Sequence, residues 1–194
     1  GLPGVELGEI REILDDIIKD DKRAADVIHH LRALIQRKER GAMERVNLNE
    51  IVGDVERLTR SERAVRDVDL ELSLQQDLPE VMAGRVELQQ VMLNLMVNAM
   101  DAMQDLPAGK RQLIVSTTTN HDAVMLTVLD SGPGVPDEIR QSIFQPFYTT
   151  KQHGLGMGLA ICKSIVEAHE GRLICDDQPD GGAAFRIEFP RLRD

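Results

Sequence analysis

Residues 86–103 constrain this chain more than any other stretch. Leu88, Val91, Met92, Leu95, Met96, Ala99 and Ala102 fall at helical spacing, and a helix this apolar has to be covered. The surrounding sequence offers strands to cover it. Val68, Leu70, Leu72 and Leu74 alternate as a half-buried strand does, and residues 113–119 and 124–130 alternate too, joined by the turn residues Asn120-His121-Asp122. Two closing strands flank Asp180-Gly181-Gly182, and a further helix runs from about Gly158 to His169. Asn47 caps another helix, with Glu50 three residues on as a capping box and Leu48, Ile51, Val52, Val55 and Leu58 as its apolar face. Strand pairs with helices between them predict an α+β fold over residues 45–194: a two-layer α/β sandwich, a mixed sheet covered by helices.

Ahead of that unit lies a heptad-like seam. Ile10, Leu14, Ile17, Ala24, Ile28, Leu31 and Ile35 alternate at four- and three-residue spacing, with Asp21 interrupting, and Ile13, Ile18, Val27 and Leu34 widen the stripe. A widened stripe suits a four-helix bundle better than a two-stranded coil. The expectation for residues 1–44 is a long bundle or coiled-coil-type helix, entered through Gly1-Leu2-Pro3-Gly4 as at the bend of a helical hairpin. Composition narrows the function. Hydrophobic residues reach 42%, enough for a core, yet aromatics are only 3% with no Trp, so that core is aliphatic and Met-rich. A formal charge of −10 repels phosphate backbones and argues against nucleic acid as a partner. Cys162 and Cys175 sit in apolar patterns and read as reduced core thiols. No apolar run approaches the roughly 20 residues that span a bilayer. The expected setting is cytoplasmic, with a membrane anchor in a longer parent left open.

Three clusters carry chemistry. Asn94 and Asn98, four apart, project from one face of the apolar helix. Buried amides need partners, so the pair either bonds a neighbouring loop or offers oxygens to Mg²⁺, an ion that binds few protein groups and arrives with nucleotide phosphates. Asp130-Ser131-Gly132-Pro133-Gly134 ends a strand; it is either a plain turn or a carboxylate for an exocyclic amine, with glycines that let backbone approach a flat ring. Thr149-Thr150-Lys151 leads into Gly154-Leu155-Gly156-Met157-Gly158-Leu159, which opens a helix. Unless it is simply a mobile loop, that run aims backbone N–H groups, a helix N-terminus and the Lys151 charge at phosphate. Neither the Gly-Lys-Ser/Thr loop nor the dinucleotide glycine spacing is present, and the eukaryotic-type protein kinase motif set is missing.

Together these residues resemble the catalytic, ATP-binding domain of bacterial sensor histidine kinases, in the superfamily shared with gyrase, Hsp90 and MutL. The asparagine box is residues 90–102, the first glycine box 130–134, the phenylalanine box 143–151 and the second glycine box 154–159, in family order, with residues 160–171 continuing in the family manner. The flavour is similar to the nitrogen- and oxygen-sensing kinases, with a short ATP lid. Residues 9–37 resemble the second helix of the dimerisation and phosphotransfer hairpin. His29 and His30 lack the acidic residue that follows a phospho-acceptor, so the acceptor is expected on a helix this chain does not contain.

The resemblance implies a Bergerat ATP-binding fold, with ATP and Mg²⁺ as ligands. It implies that Asp130 binds the adenine amine beside Gly132 and Gly134. Asn98 would ligate Mg²⁺, with Asn94 next to it on metal or phosphates and Asp101 on the same side. Lys151, Thr150 and the run Gly154, Leu155, Gly156, Met157, Gly158 and Leu159 would surround the phosphates, Asn94 and Lys151 taking the catalytic part. Phe144 and Phe147 would anchor the lid by packing. Two departures stand out: Ala184, where the family often has a Thr supporting adenine, and Gly84, which replaces an Asp and is expected to affect helix capping only. The implied activity is transfer of the γ-phosphoryl of ATP to a histidine, for relay to an aspartate of a response-regulator receiver domain, in a homodimer joined through the N-terminal bundle. The chain itself is expected to bind ATP without labelling itself. A serine kinase or ATPase of the same superfamily, or a non-catalytic nucleotide-sensing dimerisation module, are the alternatives.

Overall fold

The computed structural model describes residues 42–151, 155–176, 178 and 181–192. The expected N-terminal helix lies outside them. In chain order the elements are β1 (Glu44–Val46), α1 (Leu48–Arg66), β2 (Asp69–Leu74), β3 (Val81–Ala83), α2 (Arg85–Ala102), β4 (Gln112–Thr119), β5 (Ala123–Asp130), α3 (Gly158–Ala168), β6 (Arg172–Asp176) and β7 (Ala184–Pro190), with 3₁₀ turns at Asp137–Ile139 and Ser142–Phe144. Five strands form one mixed sheet in the order β2-β4-β5-β7-β6, with β2 parallel to β4 and the other pairs antiparallel. A separate antiparallel pair joins β1 to β3. These three-residue strands are too short to show a period in sequence.

The alternation of β5 decides where the helices sit. Val124, Leu126, Val128 and Asp130 are buried while the residues between them are half-buried, so one sheet face is fully covered. Against it lies α2, burying Leu88, Val91, Met92, Leu95, Met96, Ala99 and Met100 and touching α1, α3, β4 and β5. Met92, Met96, Met100 and Met103 are each at most 1% exposed. Their unbranched thioethers fill gaps that an aromatic-poor chain leaves open.

Helix α1 starts as its sequence predicts, with the Asn47 side chain accepting the Asn49 N–H at 2.8 Å. The capping box is not completed. The Glu50 carboxylate instead accepts from Arg85 at 2.8 Å, and Arg85 also reaches Asp54, tying α1 to the start of α2. Leu58 is 68% exposed and Thr59 is buried in its stead, its hydroxyl donating to the Val55 carbonyl at 2.9 Å. A face running through Leu48, Ile51, Val52 and Val55 meets position 59 next, not 58. Leu72 is exposed because β2 is an edge strand. Gly84 does more than cap α2: a Cβ there would overlap the Glu87 carboxylate, which lies 3.0 Å from Nε2 of the buried His169.

Candidate functional site

Asp130, the last residue of β5, is 4% exposed. Its Oδ1 accepts the N–H groups of Gly132 at 2.8 Å and Ala183 at 3.3 Å, and its own N–H donates to the Ala183 carbonyl at 3.0 Å. Burial pushes its carboxyl above the ordinary range, more than these two N–H bonds pull it back. Glycines make room for it. A Cβ on Gly132 would stand 2.7 Å from Asp130 Oδ1 and 3.2 Å from the Ala102 Cβ, and one on Gly182, at φ +88°, would overlap the Asp130 carbonyl. Gly134, at φ +80°, lies against the Gly182 carbonyl. The alanine beside Asp130 is therefore Ala183. Ala184, expected there, sits on β7 opposite Leu129 and Asp176. A cavity of about 170 Å³, lined in part by Gly134, Arg140, Asp176 and Gly182, adjoins this corner.

The last two turns of α2 continue the site. Helical spacing puts Asn94, Asn98 and Asp101 on one face, and the structure brings two of them to Lys151. The Lys151 Nζ donates to Asp101 Oδ2 at 2.7 Å and to Asn98 Oδ1 at 3.1 Å. The other Asp101 oxygen accepts from Arg66, at the C-terminal end of α1, at 2.6 Å. Burial alone would raise the Asp101 carboxyl, but hydrogen bonds and charge from Lys151 and Arg66 outweigh it and hold the group below the usual range. Asn94 lies one turn back, near the Cys162 thiol of α3, which itself donates to the Val91 carbonyl at 3.8 Å. Burial lifts that thiol to about 12, with the Asn94 contact opposing the rise.

The segment after the sheet corner is half anchored. Phe144 packs edge-to-face on Phe185, centroids 6.4 Å apart, with the Lys163 ammonium 5.6 Å from its ring centre. Phe147 does not pack on the core; it is 75% exposed, with φ +67°. Thr150 is exposed, while the Thr149 hydroxyl accepts the Lys151 N–H at 3.1 Å. At Gly156, φ +66°, a Cβ would lie 2.5 Å from the Tyr148 carbonyl, so this backbone passes directly over Phe147 and Tyr148. Leu155 is partly exposed, Met157 precedes α3 without a side-chain cap, and Leu159 packs on the core. Gly158 opens α3 with its Cβ position 3.8 Å from Asn98 Nδ2, which puts this helix start beside the Lys151 cluster. Gly154 lies outside the described residues. Among those residues no group of three or more His, Cys, Asp or Glu forms a metal cage.

Sequence reasoning missed Arg66 and Ala183. Nothing local marks Arg66, whose partner is 35 positions away. The Gly181-Gly182 pair, read only as a turn, carried a usable signal, since a glycine beside a strand also marks close backbone approach.

Comparison with known proteins bears on the family and the fold. The family described as histidine kinase-, DNA gyrase B- and HSP90-like ATPase matches residues 83–193, more than half of the chain. The sensor histidine kinase TmoS of Ectopseudomonas mendocina is 36% identical over 184 residues, which is 94% of this chain and 19% of that protein. The sensor protein FixL of Bradyrhizobium diazoefficiens is 35% identical over 184 residues, 94% of this chain and 36% of that protein. The solved catalytic domain of histidine kinase ThkA, nucleotide-free, aligns with a TM-score of 0.68 at 29% identity, covering 77% of this chain and 95% of that one. The chain belongs to this ATPase family and carries the catalytic, ATP-binding domain of a histidine kinase. It spans only about a fifth to about a third of the length of the two sensor proteins. No helix among the described residues is long and apolar enough to cross a membrane.

Proposed function

We propose that this chain is the part of a cytoplasmic sensor histidine kinase region that binds ATP with Mg²⁺ and delivers the γ-phosphoryl group to a histidine, for relay to an aspartate of a response-regulator receiver domain. Residues 1–44 would contribute the second helix of the phosphotransfer hairpin and dimerise, and residues 45–194 would hold the nucleotide. The observation that carries this reading is the run of groups along one face of α2: Asn98 beside the start of α3, then Asp101 with Lys151, then Ala102 under Gly132 and Asp130.

That run matches a nucleotide laid from phosphates to base. Asp130 would accept the adenine amine, and Gly132, Gly134 and Gly182 keep side chains out of the ring's way. Lys151 and the backbone of Gly154, Gly156 and Gly158 would hold the phosphates. Asn98, with Asn94 next to it, would hold Mg²⁺. The donors suit it: the oxygens of Asn98 and Asp101 already converge on a cation, the Lys151 ammonium, and so few protein oxygens fit an ion that keeps most of its waters. When bound, Mg²⁺ neutralises charge on the phosphates. The chain's own work is to position them and hold Lys151 near the transferring group.

Calorimetric titration tests the assignment. Asp130→Asn should weaken ATP binding by about tenfold or more with or without Mg²⁺, as expected for a lost buried hydrogen bond. Asn98→Ala should remove only the increment that Mg²⁺ adds. Unchanged binding in both variants would overturn the reading. Incubation with γ-labelled ATP should leave the chain itself unlabelled, and acid-labile label on His29 or His30 would contradict the placement of the acceptor elsewhere.

A further inference from the structure

We propose that Arg66 is a positioning residue for the phosphate end of this site: by keeping Asp101 paired, it frees Lys151 to leave Asp101 for a nucleotide phosphate. The inference rests on the ATP-binding reading above. One carboxylate carries two cations, each on its own oxygen, Arg66 at 2.6 Å and Lys151 at 2.7 Å. The two cations differ in how they are held. Arg66 is held at several points, with its second guanidinium nitrogen on Glu62 at 2.7 Å and its carbonyl accepting from Arg111 at 2.6 Å, while Arg111 also donates to the Gln104 and Leu106 carbonyls. Lys151 is the more exposed, its side chain 42% accessible against 26% for Arg66, and it reaches Asp101 from a segment whose neighbours Thr149 and Thr150 are exposed.

The charge balance follows. Arg66 and Lys151 are balanced by Asp101 and by Glu62 on the far side of Arg66, so in a chain of formal charge −10 the positive charge open to a phosphate is that of Lys151 itself. A phosphate can use that charge only if Lys151 departs, and a partly buried carboxylate abandoned by its sole cation is costly. With Arg66 in place, Asp101 keeps a charge-assisted bond throughout the exchange. Without it, Lys151 would be the only counter-charge and would be retained.

The test uses the whole chain with a chelator present, so that no metal takes part, and compares ATP with adenosine by calorimetry, each variant first checked for a cooperative melt. Arg66→Gln, which retains a donor to Asp101 but not the charge, should weaken ATP about tenfold while adenosine stays within about twofold. Adding Asp101→Asn to that variant releases Lys151 and should restore ATP to within about threefold of the parent. Arg66→Lys, which keeps a charge there and serves should the Gln variant not fold, should hold ATP within about threefold. Equal losses for ATP and adenosine, no loss at all, no recovery in the double variant, or a tenfold loss in the Lys variant would overturn the role. A parent chain that binds no ATP would instead overturn the nucleotide reading itself.

Discussion

Asp130 illustrates a cost kept at the single residue that the proposed chemistry requires. Its carboxyl titrates higher in the fold than in the unfolded chain, where an aspartate sits near 3.9. Above its folded pKa the native state therefore bears the burden of a buried charge, and that burden disappears once the pH falls below the unfolded value. Asp130→Asn keeps an oxygen for the Gly132 N–H and removes the charge. Its melting temperature should exceed the parent's at pH 7, with the gap closing toward about pH 4; a gap independent of pH would contradict this account. The adjacent glycines make a second comparison. Gly182→Ala drives a methyl into the Asp130 carbonyl at φ +88° and should cost at least about 3 kcal/mol in urea unfolding. Gly181→Ala, at φ +90° with nothing within 4 Å, should cost only the about 1–2 kcal/mol of left-handed backbone. Equal losses would mean that crowding at Asp130 is not what requires the glycine.

Among the elements, α2 sets the scale of stability. Leu95 is fully buried, so Leu95→Ala should cost about 2–5 kcal/mol by denaturant midpoint, whereas Leu58→Ala on the exposed side of α1 should stay within about 0.5 kcal/mol. The same pair shows what a sequence discloses. The α2, β4 and β5 segments were legible nearly to their ends because their apolar residues repeat with the period of the element. Position 58 misled because an apolar residue next to a helical stripe looks like part of it, and the buried neighbour, Thr59, hides its polarity in a bond to its own helix. In the candidate site, residue type and local spacing singled out Asn98 and Lys151, which the structure brings within hydrogen-bond distance, and Asp130, which it buries at the sheet corner. The sequence was silent where the partner comes from a distant element. Arg66 on an arginine-rich helix surface gives no sign of Asp101.

For the molecule as a whole, the two cysteines report on opening. Burial pushes the Cys162 thiol to about 12 and Cys175 to about 11, so neither is a ready nucleophile in the native state. They lie on α3 and β6, and if the domain opens as one unit a thiol reagent should label both at the same rate. ATP at a hundred times its dissociation constant should slow that labelling about a hundredfold, and a rate indifferent to ATP would show local opening instead. The clasp between the first turn of α2 and the end of α3 has a consequence of another kind. Glu87 occupies the space a side chain on Gly84 would need, and it holds Nε2 of His169 while Nδ1 meets the Ile165 carbonyl at 2.7 Å. An aspartate at position 84 would have to displace the Glu87 carboxylate, but its Cβ would stand 3.4 Å from His169 Nε2, so its own carboxylate is placed to take over the imidazole. The buried imidazole thus asks for one carboxylate at the start of α2, and either position 84 or position 87 can supply it.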